Sequence, residues 1–259
     1  MFAAARADRR ACLLGYLPAG FPSYAASLDA FDCLVEGGVD IVEVGLPYSD
    51  PLLDGPIIQQ AVDRALAAGT TPADVLRVVE HVAARGVPTV VMTYWNPVES
   101  YGVAAFARAV ASAGAAGVIT PDLTPDEGGA WVDAALAAGI DPVFLVAPSS
   151  SDARLRLVAA STRGFVYAAS TMGVTGARAA VSASAADLVS RVRAVTDLPV
   201  AVGLGVSTRE QAATVARFAD GVIVGSALVE TVLTAPAAAD GRQRLATLVA
   251  DLAAGVRRS

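Results

Sequence analysis

Two of the three carboxylates, Glu43 and Asp54, draw attention in the stretch of the chain with the most unusual residue order, Glu43-Val44-Gly45-Leu46-Pro47-Tyr48-Ser49-Asp50-Pro51-Leu52-Leu53-Asp54-Gly55-Pro56. Glu43 belongs to a short apolar run, Ile41 to Val44, that reads as a β-strand. Alternation along a strand puts Ile41, Glu43 and Gly45 on one face and Val42 and Val44 on the other. With the valines against helices, Glu43 points inward near the end of its strand. A carboxylate removed from water there has its pKa raised toward the range in which it can both give and take a proton. Asp54 follows in a long loop, and long loops in compact domains tend to carry function. Both residues also admit structural roles: Glu43 as the partner of an arginine, and Asp54 as a cap before Gly55-Pro56 and a helix from Ile57.

Glycines supply a second kind of chemistry. The segment Val202-Gly203-Leu204-Gly205-Val206-Ser207 and the segment Val224-Gly225-Ser226-Ala227 each follow an apolar run. A third glycine-bearing turn runs from Ser170 through Gly173, Thr175 and Gly176. Glycine lets the backbone approach an anion closely, and the free N–H groups of a helix opened by Gly225-Ser226 would point at it. Three such turns on neighbouring strands imply a phosphorylated small molecule held by amides rather than by cations.

Composition narrows the chemistry further. All 19 basic residues are arginines, against 25 Asp+Glu, for a net charge of −6. Without lysine the chain can form no Schiff base, cannot hold its own pyridoxal phosphate, and is no P-loop hydrolase. One histidine, His81, and two cysteines, Cys12 and Cys33, cannot assemble a Cys/His zinc cluster, and no metal site is expected. His81 falls among Val78, Val79 and Val82 on a helix, where a structural or surface role is expected. The acidic balance argues against nucleic-acid and anionic-membrane partners. Hydrophobic residues make up 54 % of the chain. The uncharged run from Ala11 to Leu28 is nevertheless broken by Gly15, Pro18, Gly20 and Pro22, so neither a membrane span nor a signal peptide is expected, and the expected location is cytoplasmic.

The elements that must position these groups recur regularly. Strands are predicted at Cys12–Leu17, Ile41–Val44, Thr89–Thr93, Gly117–Thr120, Pro142–Val146, Phe165–Ala168, Pro199–Val202 and Gly221–Val224, eight in all. Stripes such as Leu28, Phe31, Leu34 and Val35, then Val75, Leu76, Val78, Val79 and Val82, then Leu245, Leu248, Val249, Leu252 and Val256, predict helices between and after them. Ser207 to Glu210 is predicted as a capping box, and Thr71-Pro72 as a cap followed by a first-turn proline. Continuous apolar strands call for a parallel sheet covered by helices. The expectation is therefore a single-domain α/β (β/α)8 TIM barrel over residues 1–259, with a short N-terminal segment 1–10 and a C-terminal helix 241–257. The competing open, doubly wound sheet lacks its Gly-x-Gly-x-x-Gly turn after the first strand. In a barrel the strand ends that carry Glu43 and the glycine turns form the catalytic face, with phosphate commonly on the loops after strands 7 and 8.

The stretch from Glu43 to Gln59 resembles the motif of the tryptophan synthase α subunit family. The similarity continues through Met92-Thr93-Tyr94-Trp95-Asn96-Pro97, Pro121-Asp122-Leu123 with Glu127, Tyr167 to Gly176, Gly203-Leu204-Gly205 and Gly225-Ser226. The resemblance implies a carbon–carbon lyase: retro-aldol cleavage of indole-3-glycerol phosphate to indole and D-glyceraldehyde 3-phosphate. It implies that Glu43 protonates C3 of the indole and then helps deprotonate the glycerol hydroxyl, and that Asp54 engages the indole N–H. Tyr167 is implied as a third catalytic residue, near the catalytic glutamate, with Tyr16 and Ile119 flanking the ring and Thr175 in a closing loop. Tyr94, Gly176, Gly203, Gly205, Gly225 and Ser226 complete the implied substrate-binding set. The resemblance further implies an α2β2 heterotetramer in which a β subunit, carrying the pyridoxal phosphate, receives the indole, with Pro51 and Asn96 near that partner. Two positions depart from the family pattern: Phe21 replaces a carboxylate in Gly20-Phe21-Pro22, and Thr171-Met172 replaces an arginine. The alternatives are a stand-alone lyase releasing free indole, a phosphosugar isomerase on the same barrel, and a non-catalytic module for a phospho-ligand.

Overall fold

The computed structural model describes residues 1–169, 178–203 and 205–257. Its strands are β1 (Cys12–Pro18), β2 (Ile41–Gly45), β3 (Thr89–Met92), β4 (Gly117–Ile119), β5 (Asp141–Val143), β6 (Leu145–Val146), β7 (Val166–Ala169), β8 (Val200–Gly203) and β9 (Gly221–Val224). All pair in parallel, in the order β5-β4-β3-β2-β1-β9-β8-β7-β6. The ends of that order, β5 and β6, are two halves of one predicted strand interrupted at Phe144. The fifth strand thus pairs with β4 on one side and β7 on the other, and the sheet closes into the expected barrel. The remaining predicted strands are found within one or two residues of their bounds.

Alternation divides each strand between two cores. Leu14, Ile41, Val90, Ile119, Val143, Ala201 and Ile223 fill the barrel interior, joined from below by Ala5 and Phe2 of the N-terminal helix Phe2–Ala7. Val42, Val44, Val91, Val118, Val166, Val202 and Val222 face outward to the helices. Each fully buried Val, Leu or Ile contributes about 1.5–3 kcal/mol, and this double use explains why the strands read as continuous apolar runs. The predicted stripe residues Phe31 and Leu34, Val75, Val78, Val79 and Val82, and Leu245, Val249 and Leu252 are all buried in the outer core.

Two boundaries differ from the sequence expectation. The last helix runs Ala238–Gly255 rather than 241–257. The cap of the helix Arg209–Ala216 is Thr208, whose hydroxyl accepts from Gln211 N, not Ser207. Gln211 in turn accepts from Ser207 N at 2.7 Å, so the capping pair lies one residue later than predicted and uses Gln211 in place of Glu210. At Thr71 the capping box with Asp74 and the first-turn proline are as expected. His81 meets Asp32 at 3.0 Å and ties two helices together.

Candidate active site

The carboxyl ends of the strands surround a cavity of about 170 Å³ lined by Tyr16, Glu43, Asp54, Ile58, Met92, Tyr167, Gly203, Gly205, Ile223, Gly225 and Ser226. Strand register explains the convergence. Tyr16 pairs with Glu43 across β1 and β2, Gly45 with Met92 across β2 and β3, and Gly203 with Ile223 across β8 and β9. These residues occupy the inward positions of the alternation, at the top of the interior core or just above it.

Glu43 is 0 % exposed, and neither carboxyl oxygen has a hydrogen-bond partner among the described residues. Burial alone pushes its pKa up to about 8. Among the described residues no arginine pairs with it, the structural alternative for this residue. Tyr16 and Tyr167 flank it, and burial raises both phenols well above their ordinary value, with the Glu43 charge adding to the effect. Both side chains depend on glycines. A Cβ on Gly45 would stand 2.4 Å from the Tyr16 hydroxyl oxygen, and one on Gly203 would stand 2.9 Å from that of Tyr167.

Asp54 lies at the mouth, where burial raises its pKa and the Tyr94 hydroxyl, donating toward the carboxylate, draws it back down. It is not a helix cap: the helix Pro56–Ala67 begins after Gly55, with no side-chain cap. The same Tyr94 hydroxyl accepts from Leu53 N at 3.0 Å. The two cavity carboxyls therefore differ in surroundings, one without a partner and one with a donor.

The described lining contains no cation, and its glycines lie at or just past strand ends, where backbone amides can approach an anion. Gly225 precedes the helix Ser226–Leu233 at its N-terminus, and Gly205 adopts φ +67°, a left-handed conformation natural to glycine. A phosphate here would be bound by backbone N–H groups and the helix dipole.

Of the sequence-predicted site residues, Tyr16, Glu43, Asp54, Tyr167, Gly203, Gly205, Gly225 and Ser226 meet at the cavity. Tyr94 and Ile119 do not line it: Tyr94 stands behind Asp54, and Ile119 is fully buried in the interior core against which Met92 and Tyr167 pack. Thr175 and Gly176 lie outside the described residues. Ile58, Met92 and Ile223 were not anticipated, although Met92 and Ile223 follow from strand parity. Phe21, at the position of the missing carboxylate, is buried in the outer core. Cys12 and Cys33 are buried and free. Among the described residues no acidic, His or Cys cluster could hold a metal, and no helix is long and apolar enough to cross a membrane.

The profile of the family described as tryptophan synthase alpha chain matches residues 2–257. The alpha chain of Salinispora tropica is 60 % identical over 256 residues, covering 99 % of this chain and 96 % of the relative. That of Thermobifida fusca is 58 % identical over 258 residues, covering 98 % and 96 %. A structure of Mycobacterium tuberculosis tryptophan synthase superposes with a TM-score of 0.92 at 53 % identity, covering 100 % of this chain and 97 % of that one. The alpha subunit of Legionella pneumophila superposes with a TM-score of 0.89 at 32 % identity, covering 98 % and 96 %.

Proposed function

The chain belongs to the tryptophan synthase alpha chain family, whose members cleave indole-3-glycerol phosphate to indole and glyceraldehyde 3-phosphate, and from that premise we propose that Glu43 and Asp54 are its acid–base pair. The observation that carries the assignment is the Glu43 carboxyl, fully buried at the cavity and without a hydrogen-bond partner among the described residues. With a pKa of about 8 it meets the substrate protonated at neutral pH. It gives its proton to C3 of the indole, which leaves the ring cationic. The resulting carboxylate takes the proton of the glycerol hydroxyl as the carbon–carbon bond breaks and its electrons return to the ring. Glu43 ends as it began, protonated. Asp54, whose pKa burial raises and the Tyr94 hydroxyl draws back down, accepts the indole N–H and balances the ring charge. Two carboxyls in different surroundings divide acid and base roles in this way.

The substrate's own ring is the electron sink, so the reaction needs no lysine and no cofactor in this chain. Pyridoxal phosphate belongs to the β subunit, which is the family's partner. We assign substrate-binding roles to Tyr16, Gly203, Gly205, Gly225 and Ser226, and a supporting role beside Glu43 to Tyr167. Thr175 and Gly176 are assigned to substrate binding, and Thr175 to closure over the substrate, on the family pattern alone. The assembly we propose is an α2β2 heterotetramer in the cytoplasm that hands indole on internally. The exposed pair Leu52 and Leu53, 73 % and 61 % accessible on the loop after β2, and the neighbouring Pro51 and Asn96 support an interface there.

Indole release by the purified chain, with and without its β subunit, tests the reading. Strong activation by the partner is expected, and high unaided turnover with no response to the partner would favour a stand-alone lyase. Asp54→Asn is expected to lower turnover at least tenfold, since positioned proton-handling groups are worth roughly 10²–10⁴.

A further inference from the structure

The helix Trp95–Tyr101 has Tyr94 at its N-cap position but no side-chain cap of its own. The Trp95 N–H is therefore one of the free donors that every helix start leaves. Asp122, from the loop after β4, accepts it with both carboxylate oxygens, at 2.9 and 3.1 Å. The Trp95 ring packs edge-on against the fully buried Trp131, centroids 6.5 Å apart. Tyr94, one residue earlier, is thus fixed by its backbone, and its hydroxyl reaches the loop after β2, where it meets Leu53 N and the Asp54 carboxylate. The same helix grips that loop a second time. Asn96 Nδ2 donates to the Tyr48 hydroxyl at 2.9 Å, and the Tyr48 and Tyr94 rings lie 5.7 Å apart.

We propose that Asp122 is a positioning residue for Asp54, acting through the Trp95 amide and the Tyr94 hydroxyl. Asp122 does not line the cavity. What it supplies is registration of three successive βα loops. The loop from Leu46 to Gly55 has no regular structure to hold Asp54, and a displacement of about 1 Å at a reacting group can cost on the order of 10²-fold in rate. The inference rests on the assignment of Asp54 to the indole nitrogen.

The test uses the chain in complex with its β subunit and reads kcat, KM and the pH profile of indole release. Asp122→Ala is expected to lower kcat/KM by about tenfold or more, and Asp122→Asn, which keeps one acceptor oxygen, to recover most of it. The titratable groups facing Asp54 are Tyr94, Tyr16 and, across the cavity, Glu43. With the Tyr94 donation loosened, the acid limb of the profile moves to higher pH in Asp122→Ala and in Tyr94→Phe alike. The double variant should be no worse than the poorer single variant, because both act through one contact. A folded Asp122→Ala with wild-type kcat/KM and an unmoved acid limb would overturn the proposal, as would fully additive losses. Should Asp122→Ala not fold, Tyr94→Phe decides, since it removes one hydroxyl and keeps the ring; an unmoved acid limb there overturns the proposal too. Full activity in Asp54→Asn would instead refute the role of Asp54 itself.

Discussion

Burial raises the pKa of both Glu43 and Asp54, but Glu43 has no hydrogen-bond partner among the described residues, whereas the Tyr94 hydroxyl draws Asp54 back down. The difference sets both limbs of the pH dependence. Activity should fall as pH rises through about 8, where Glu43 loses its proton, and fall again on the acid side as Asp54 gains one. Stability carries the same sign for Glu43. Its folded pKa of about 8 lies above the ordinary 4.5, so the neutral form favours folding below pH 4.5 and that benefit drains away as pH climbs to about 8. Glu43→Gln should therefore gain stability relative to wild type across that window, by a few kcal/mol on the order of 1.4 per unit of pKa, and a denaturant titration at pH 5 and pH 9 reads the change. The inward aim of Glu43 was legible from strand parity over Ile41 to Gly45. The contact of Tyr94 with Asp54 was not, because it joins residues 53, 54 and 94 through a tertiary meeting of two loops that no local pattern encodes.

Elements place the site through parity and through glycines that leave room. Gly45 on β2 adjoins the Tyr16 ring, so Gly45→Ala would drive a Cβ to within 2.4 Å of the Tyr16 hydroxyl oxygen. Overpacking of this kind costs about 1–3 kcal/mol, and here it also displaces a cavity wall; thermal unfolding and KM should both worsen. The closed face of the barrel depends on an ion pair instead. Asp40 accepts from Arg10 at 2.6 and 2.8 Å and from Leu13 N at 2.8 Å, which ties the start of β1 to the turn before β2. Asp40→Ala leaves the buried Leu13 N–H and a half-buried guanidinium without that partner, an expected loss of about 1–3 kcal/mol with little change in kcat. Strand positions were readable because inward and outward faces are both apolar. The break at Phe144 was not readable, since alternation continues from Val143 to Leu145 and only the hydrogen bonding lapses. The shift of one cap from Ser207 to Thr208 has a similar origin: two hydroxyl residues stand side by side, and the choice falls to Gln211, which reaches back to Ser207 N.

For the molecule as a whole, the lack of lysine and the closed barrel meet in one consequence. On the proposed reading, a cavity whose described lining has two carboxyls and no cation holds phosphate with glycine amides and draws its electron sink from the substrate. The barrel and its catalytic face were expected from eight apolar runs and their glycine turns, whereas the partner's docking surface was expected only through family resemblance. The central claim is that the buried Glu43 carboxyl moves the protons of carbon–carbon cleavage. Its most direct test is indole release by Glu43→Gln in complex with the β subunit, measured beside the binding of indole-3-glycerol phosphate. The predicted result is a fall in turnover of about 10²–10⁴-fold with substrate affinity changed no more than a few-fold; turnover equal to wild type would contradict the account.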